Sequence, residues 1–262
     1  MLQPHSFLWH YLWLGPHVLQ AALAILIWRR GVGKLFPVFL VYLVYEAVKN
    51  ITLYTMDILP SVSPQAWWRA FVLGAVIEGL LKFAFVLELF FRLVRARPDV
   101  ARLGKRLIGC TGAALAALAA WAAAHAPIAN QFPLGSYAHI LEQTIFIVEC
   151  GLLLFIFLFG AYFHLPWNRW AFGIALASSI SACVHLATWA VFANIGWFEK
   201  GYLLDFLNMA TYHVCVLIWF YYLILPLHPS AVTVPATSET KAGMPNSANI
   251  RLLGPGVLPL ES

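Results

Sequence analysis

The stretch A-H-I-L-E-Q-T-I-F-I-V-E-C-G-L-L-L-F-I-F-L-F-G-A-Y-F occupies residues 138 to 163. From Cys150 onward it runs without a charge to Phe163, and before that its charged residues are Glu142 and Glu149. As a helix rising ~1.5 Å per residue it outreaches the ~30 Å hydrocarbon core of a bilayer. A segment of this kind reads as a transmembrane helix, and the composition of the rest agrees. The chain is 62% hydrophobic and 10% charged, against about 25% charged in soluble proteins. The 11 tryptophans suit membrane interfaces, where amphipathic rings collect.

Working outward from residues 138–163, six further apolar runs are bounded by charge, Pro or Gly: 7–28, 36–57, 69–93, 107–125, 169–192 and 203–226. The expected fold is all-α, an integral membrane bundle of seven transmembrane helices. The first run has no basic residue before Arg29 and reads as an anchor, not a cleaved signal. Residues 227–262, rich in Pro, Ser, Thr, Ala and Gly, read as a disordered cytoplasmic tail. A short apolar patch in it, Ile250 to Leu260, carries prolines and glycines that oppose stable structure.

Lysine and arginine set the orientation, because short cytoplasmic loops are enriched in them. Arg29, Arg30 and Lys34 follow the first run, and Arg92, Arg95, Arg97, Arg102, Lys105 and Arg106 follow the third. Arg169, Lys241 and Arg251 lie on the same side, whereas the alternate loops offer Arg69 and Lys200. The N-terminus is therefore expected outside and the C-terminus in the cytoplasm. The net charge of +5 follows this topology. With no nucleic-acid module in the chain, the expected partner of these cations is the lipid bilayer and not nucleic acid.

An ionised side chain at the centre of a spanning helix costs about 2.5–3.5 kcal/mol on insertion scales. The chain nevertheless keeps Glu46, Lys49 and Asn50 in the second run, Glu78 and Lys82 in the third, and Glu149 in the fifth. Glu46 with Lys49, and Glu78 with Lys82, sit three or four residues apart and can pair along one helix. Counted inward, all five ionised residues fall about 7 to 13 residues deep, a band roughly 10 Å thick near the midplane. His17, His185 and His213 fall in or beside this band, with Ser181, Asn208 and Thr211 near it. His185 shares a helical face with Ser178, Ser181 and Trp189. Glu88 and Glu142 lie nearer the interfaces and are set apart from the cluster.

The candidate ligand or proton-binding cluster is therefore Glu46, Lys49, Glu78, Lys82, Glu149, His185 and His213. Three readings stay open: a sensor or receptor responding to a small ligand or proton, a proton-coupled or small-solute transporter, and ion pairs that only hold helices together. No catalytic nucleophile or metal cluster is apparent, and an enzyme is the least favoured class. The G-V-G-K at Gly31 to Lys34 lacks the frame of a phosphate loop. No cofactor is predicted, haem through His17 and His213 being the alternative. Retinal is disfavoured because the seventh run has no lysine.

Cys110, Cys150, Cys183 and Cys215 form no C-x-x-C pair and read as small packing residues. Gly112, Ala116, Ala120 and Ala124 form a stripe that suits internal packing, with homodimerisation as the alternative. A separate signalling partner is also compatible with the sensor reading.

The stretch F-P-V-F-L-V-Y-L-V-Y-E from Phe36 to Glu46, V-I-E-G-L-L-K from Val76 to Lys82, and R-A-R-P from Arg95 to Pro98 resemble a group of uncharacterised bacterial seven-helix membrane proteins. The architecture also resembles the seven-helix sensor regions of some bacterial histidine kinases, though these 262 residues carry no kinase domain. The resemblance implies a multi-pass protein of the bacterial inner membrane and supplies no site residues.

Overall fold

The structure, a computed structural model, describes residues 5–95, 97–126, 133–195 and 201–225. The expected tail from residue 227, its apolar patch and Lys200 lie outside the described residues. Seven α-helices make up the described chain: α1 Phe7–Arg29, α2 Pro37–Ile58, α3 Pro64–Val94, α4 Pro98–Ala124, α5 Pro133–Tyr162, α6 Arg169–Ile195 and α7 Gly201–Ile224. No strand occurs among the described residues.

Local chemistry sets the ends. Proline opens α2, α3, α4 and α5, where its missing N–H costs nothing and its fixed φ already suits a helix. Ser6 Oγ accepts from Trp9 N at 3.3 Å and Ser63 Oγ from Ala66 N at 3.2 Å, satisfying first-turn donors of α1 and α3. Gly31 takes φ +73° after α1, a conformation that stops a helix and is easy only for glycine. G-V-G-K is thus the tight turn into α2, part of it a short 3-10 segment over Val32–Lys34. Helices α3, α4 and α5 start several residues before the apolar runs at 69, 107 and 138, because hydropathy marks the lipid-embedded part and the prolines mark the first turn.

Six of the seven helices, all but α2, are long and apolar enough to cross a membrane. At 22 residues α2 is long enough, but Glu46, Lys49 and Asn50 in its middle dilute its apolar character. The helices pack α1 on α2, α2 on α3, α3 on α5, α5 on α6, α6 on α7 and α7 back on α1, which closes a six-helix ring. Helix α4 stands outside it against α5, with little contact to α3. Its buried residues, Val100, Gly104, Ile108 and Ala119, face the ring. The small-residue stripe is a correction to the packing expectation: Ala116, Ala120 and Ala124 are exposed. The other side of α4 does the packing, because Gly104 meets Phe90 and Phe159 and only a glycine leaves them room.

One end of the bundle gathers the basic residues. Arg169 donates to Leu225 O at 2.7 Å and Tyr221 O at 2.8 Å, and Arg30 donates to Ile224 O, so both cap the C-terminus of α7. Glu88, which the sequence left unassigned, accepts from Phe39 N at 3.2 Å and thereby satisfies a first-turn donor of α2 from α3. Replacing Glu88 by Ala is expected to cost about 0.5–2 kcal/mol in SDS-driven unfolding, the usual range for a lost cap.

The cysteines hold one arrangement that their spacing concealed. Cys150 of α5 and Cys183 of α6 bring their sulfurs to 3.4 Å as free thiols. Copper-phenanthroline, which partitions into membranes, is expected to join them within one chain, read as a loss of two hydrogens in the intact mass. Replacing either residue by Ser should abolish that product.

Candidate functional site

The ion cluster is built from the sequence spacing and then joined by packing. Glu46 and Lys49, three residues apart on α2, meet at 3.0 Å (Nζ to Oε2). Glu78 and Lys82, four apart on α3, meet at 3.0 Å. Packing α2 on α3 brings Lys49 onto Glu78, and packing α3 on α5 brings Lys82 to 3.1 Å from Glu149 Oε2. The result is one alternating chain, Glu46, Lys49, Glu78, Lys82, Glu149, in which each lysine is held by two carboxylates. Asn50 donates to Glu46 Oε1 at 2.7 Å, completing the α2 end.

Two glycines lie at this junction. A Cβ on Gly74 would lie 3.0 Å from Lys49 Cδ, so the lysine stem runs close against the backbone of α3. A Cβ on Gly79 would lie 2.8 Å from Ile145 Cδ1, so α3 and α5 approach closely beside Glu78. Glu46, Lys82 and Glu149 are 5–6% exposed. At that burial an unpaired charge would be very costly, and each charge in the chain has an opposite one within 3.1 Å, although Oε2 of Glu46 and of Glu149 accepts no hydrogen bond.

The remaining sequence candidates fall in two places. The His185 ring stacks on Phe146 at 4.5 Å between centroids, and Lys82 Nζ lies 4.2 Å above the same Phe146 ring. His185 therefore adjoins the cluster through an aromatic ring without bonding to a carboxylate, its Nδ1 pairing with Ser181 O at 2.9 Å. His213 lies apart, its ring 5.7 Å from Tyr11, and it does not line the chamber described next. His17 does line that chamber, with Nδ1 3.2 Å from Gln20 Oε1. The two histidines considered for haem therefore do not face one cavity.

Above the ion chain a chamber of about 510 Å³ opens, lined from all six ring helices. Glu46, Lys49, Glu78 and Lys82 lie at its depth, and His17, Ser181, His185, Asn208 and Tyr212 line its walls. Trp9, Trp13, Trp67, Trp68, Trp189 and Tyr202 line it nearer the end away from the basic residues. Toward the basic end it is closed by packed rings: Phe39 lies 5.8 Å from Phe85 and 5.4 Å from Trp219, and Tyr42 lies 5.1 Å from Phe85.

A second hollow, about 610 Å³, lies between α3, α4 and α5. It is almost wholly apolar, with Lys82 and Glu149 at one part of its wall and Lys105 at another. Lys82 lines both cavities, so its side chain is part of the wall between them.

Sequence reasoning missed Gln20, Tyr212, Glu142 and Asp205 as site residues. Gln20 is fully buried and accepts from Tyr212 Oη at 2.7 Å, joining α1 to α7. Its spacing of three from His17 was a usable signal. Glu142 and Asp205 both line the chamber, and Asp205 comes from a helix end that the midplane count passes over.

Comparison with known proteins finds no matching family model, no similar curated protein and no similar solved structure.

Proposed function

We propose that this is a receptor-like membrane protein that binds a small ligand in the chamber, with the Glu46 to Glu149 ion chain as the floor that registers occupancy. One observation carries the reading. A cavity of about 510 Å³, closed at the basic end and lined by all six ring helices, ends on a buried charge network. Pockets for small ligands run about 300–1,000 Å³ and combine apolar walls with a few placed polar groups. Helices joined by ion pairs for packing alone have no need of such a hollow.

In this proposal α2 also crosses the bilayer, because its charges are satisfied inside the ring, and the crossings number seven. The basic end faces the cytoplasm by the charge bias of short loops, which puts the chamber mouth and the N-terminus outside. Assignment to a bacterial inner membrane rests on the resemblance of the Phe36 to Glu46 stretch. The second reading, a transporter, is favoured by one observation: Lys82 lines both cavities. Exchange of its ammonium between Glu78 and Glu149 would then connect the chamber with the hollow beside α4.

Native mass spectrometry on protein extracted gently from its own membrane tests the proposal. Wild type is expected to retain a specific small molecule that Glu46→Gln loses under conditions where the variant, although less stable, is still fully folded. A bare wild-type protein, with a lowered midpoint as the variant's sole change, would leave packing as the role of these charges.

A further inference from the structure

The lining of the chamber selects a ligand class, and the argument rests on the proposal that the chamber binds a ligand at all. Among the described residues the lining carries four carboxylates, Glu46, Glu78, Glu142 and Asp205, against the two lysines Lys49 and Lys82. Both ammonium groups are already held between carboxylates, and Lys82 is shared with a fifth, Glu149. Neither lysine is therefore free to receive an anion. Toward the mouth Glu142 of α5 and Asp205 of α7 have no lysine or arginine ion-pair partner among the described residues; His139 Nδ1 lies 3.7 Å from Glu142 Oε2, and His139 and Glu142 are both within Coulombic reach of Asp205.

Around these acids the walls are ring faces. The His139 ring lies 4.7 Å from Trp189 and 5.7 Å from Trp68, which gathers α3, α5 and α6 at one spot, with Tyr202 of α7 also lining the chamber. Aromatic faces carry the negative part of the ring quadrupole and attract cations, most strongly when water is excluded. Asp205 is exposed and the Glu142 side chain is 28% exposed, so the two acids set a negative field at the mouth that repels an anion and draws in a cation in preference to a neutral molecule. We infer that the outer half of the chamber binds a small organic cation, an ammonium with a compact apolar body, between the carboxylates of Glu142 and Asp205 and the surrounding tryptophan faces.

The test uses the full chain in lipid nanodiscs, with tryptophan fluorescence read during titration by choline and benzyltrimethylammonium. The controls are 3,3-dimethylbutan-1-ol, the uncharged isostere of choline, and butyrate. Both cations are expected to give saturable changes, with choline binding at least tenfold tighter than its isostere. The double variant Glu142→Gln with Asp205→Asn is expected to weaken both cations tenfold or more at an unchanged unfolding midpoint. If His139→Gln bound the cations tenfold tighter than wild type, the imidazolium, and not a ligand, would be the resident partner of these acids, and the inference would be overturned. The alcohol or butyrate binding as tightly as the cations would overturn the cation class and leave the chamber reading standing. Silence from all four probes overturns the cation class, and a bare protein in native mass spectrometry would remove the chamber reading with it.

Discussion

Replacing Lys82 by Met is expected to destabilise the bundle by about 3–5 kcal/mol, the range measured when one partner of a buried ion pair is removed. Its ammonium is 3.0 Å from Glu78 and 3.1 Å from Glu149 and covers the Phe146 ring at 4.2 Å. After the substitution Glu78 still has Lys49, but Glu149 has no other cation among the described residues and is 6% exposed. The converse change, Glu149→Gln, leaves Lys82 on Glu78 and replaces a charged acceptor by an amide, a loss of about 1.5–3 kcal/mol. The double variant Lys82→Met with Glu149→Gln should recover most of the stability, because no orphaned charge remains. SDS-driven unfolding of the four proteins measures all three differences. A Lys82→Met cost below about 1 kcal/mol would mean that water reaches Glu149 and that the network is not sealed.

Gly74→Leu is expected to cost about 2–4 kcal/mol, whereas Gly74→Ala should be close to neutral. The first β-carbon at this position comes within 3.0 Å of Lys49 Cδ and 3.1 Å of Cγ, contacts that a flexible lysine stem can relieve by a few tenths of an ångström. Alanine also gains about 1 kcal/mol of helix propensity over glycine, which offsets the squeeze. A leucine occupies the path of the stem, so overpacking of about 1–3 kcal/mol adds to displacement of the ammonium from Glu46 and Glu78. Unfolding measurements on the two variants separate the cases, and equal costs would show that Lys49 does not depend on this gap.

Much of the cluster was legible because lipid makes charge expensive, and because pairs three or four residues apart are neighbours on any helix. Glu46 with Lys49 and Glu78 with Lys82 required no tertiary information. Glu149 was found by depth alone, and its partner became known only when α3 packed on α5. His213 shows the limit of depth as a guide: it has the right height on α7 but lies against Tyr11, since helix rotation is set by packing. The same limit hid Gln20 and the contact of Cys150 with Cys183, which depend on which faces of α1, α5, α6 and α7 turn toward each other. The position of α4 outside the ring was likewise illegible, because an alanine-rich apolar helix reads alike wherever it packs.

A polar chamber that opens on the side away from the basic residues and ends on the ion chain must admit a soluble reagent from that side alone, which cysteine accessibility measures. Ser181 lines the chamber and is 8% exposed. In a background with the four native cysteines replaced, Ser181→Cys is expected to react with a membrane-impermeant methanethiosulfonate applied to the outer face of intact cells. Arg102→Cys, at the basic end, should react only after the membrane is permeabilised. A Ser181→Cys that stays unreactive until permeabilisation would contradict the outward opening, and one that stays unreactive throughout would contradict the chamber itself.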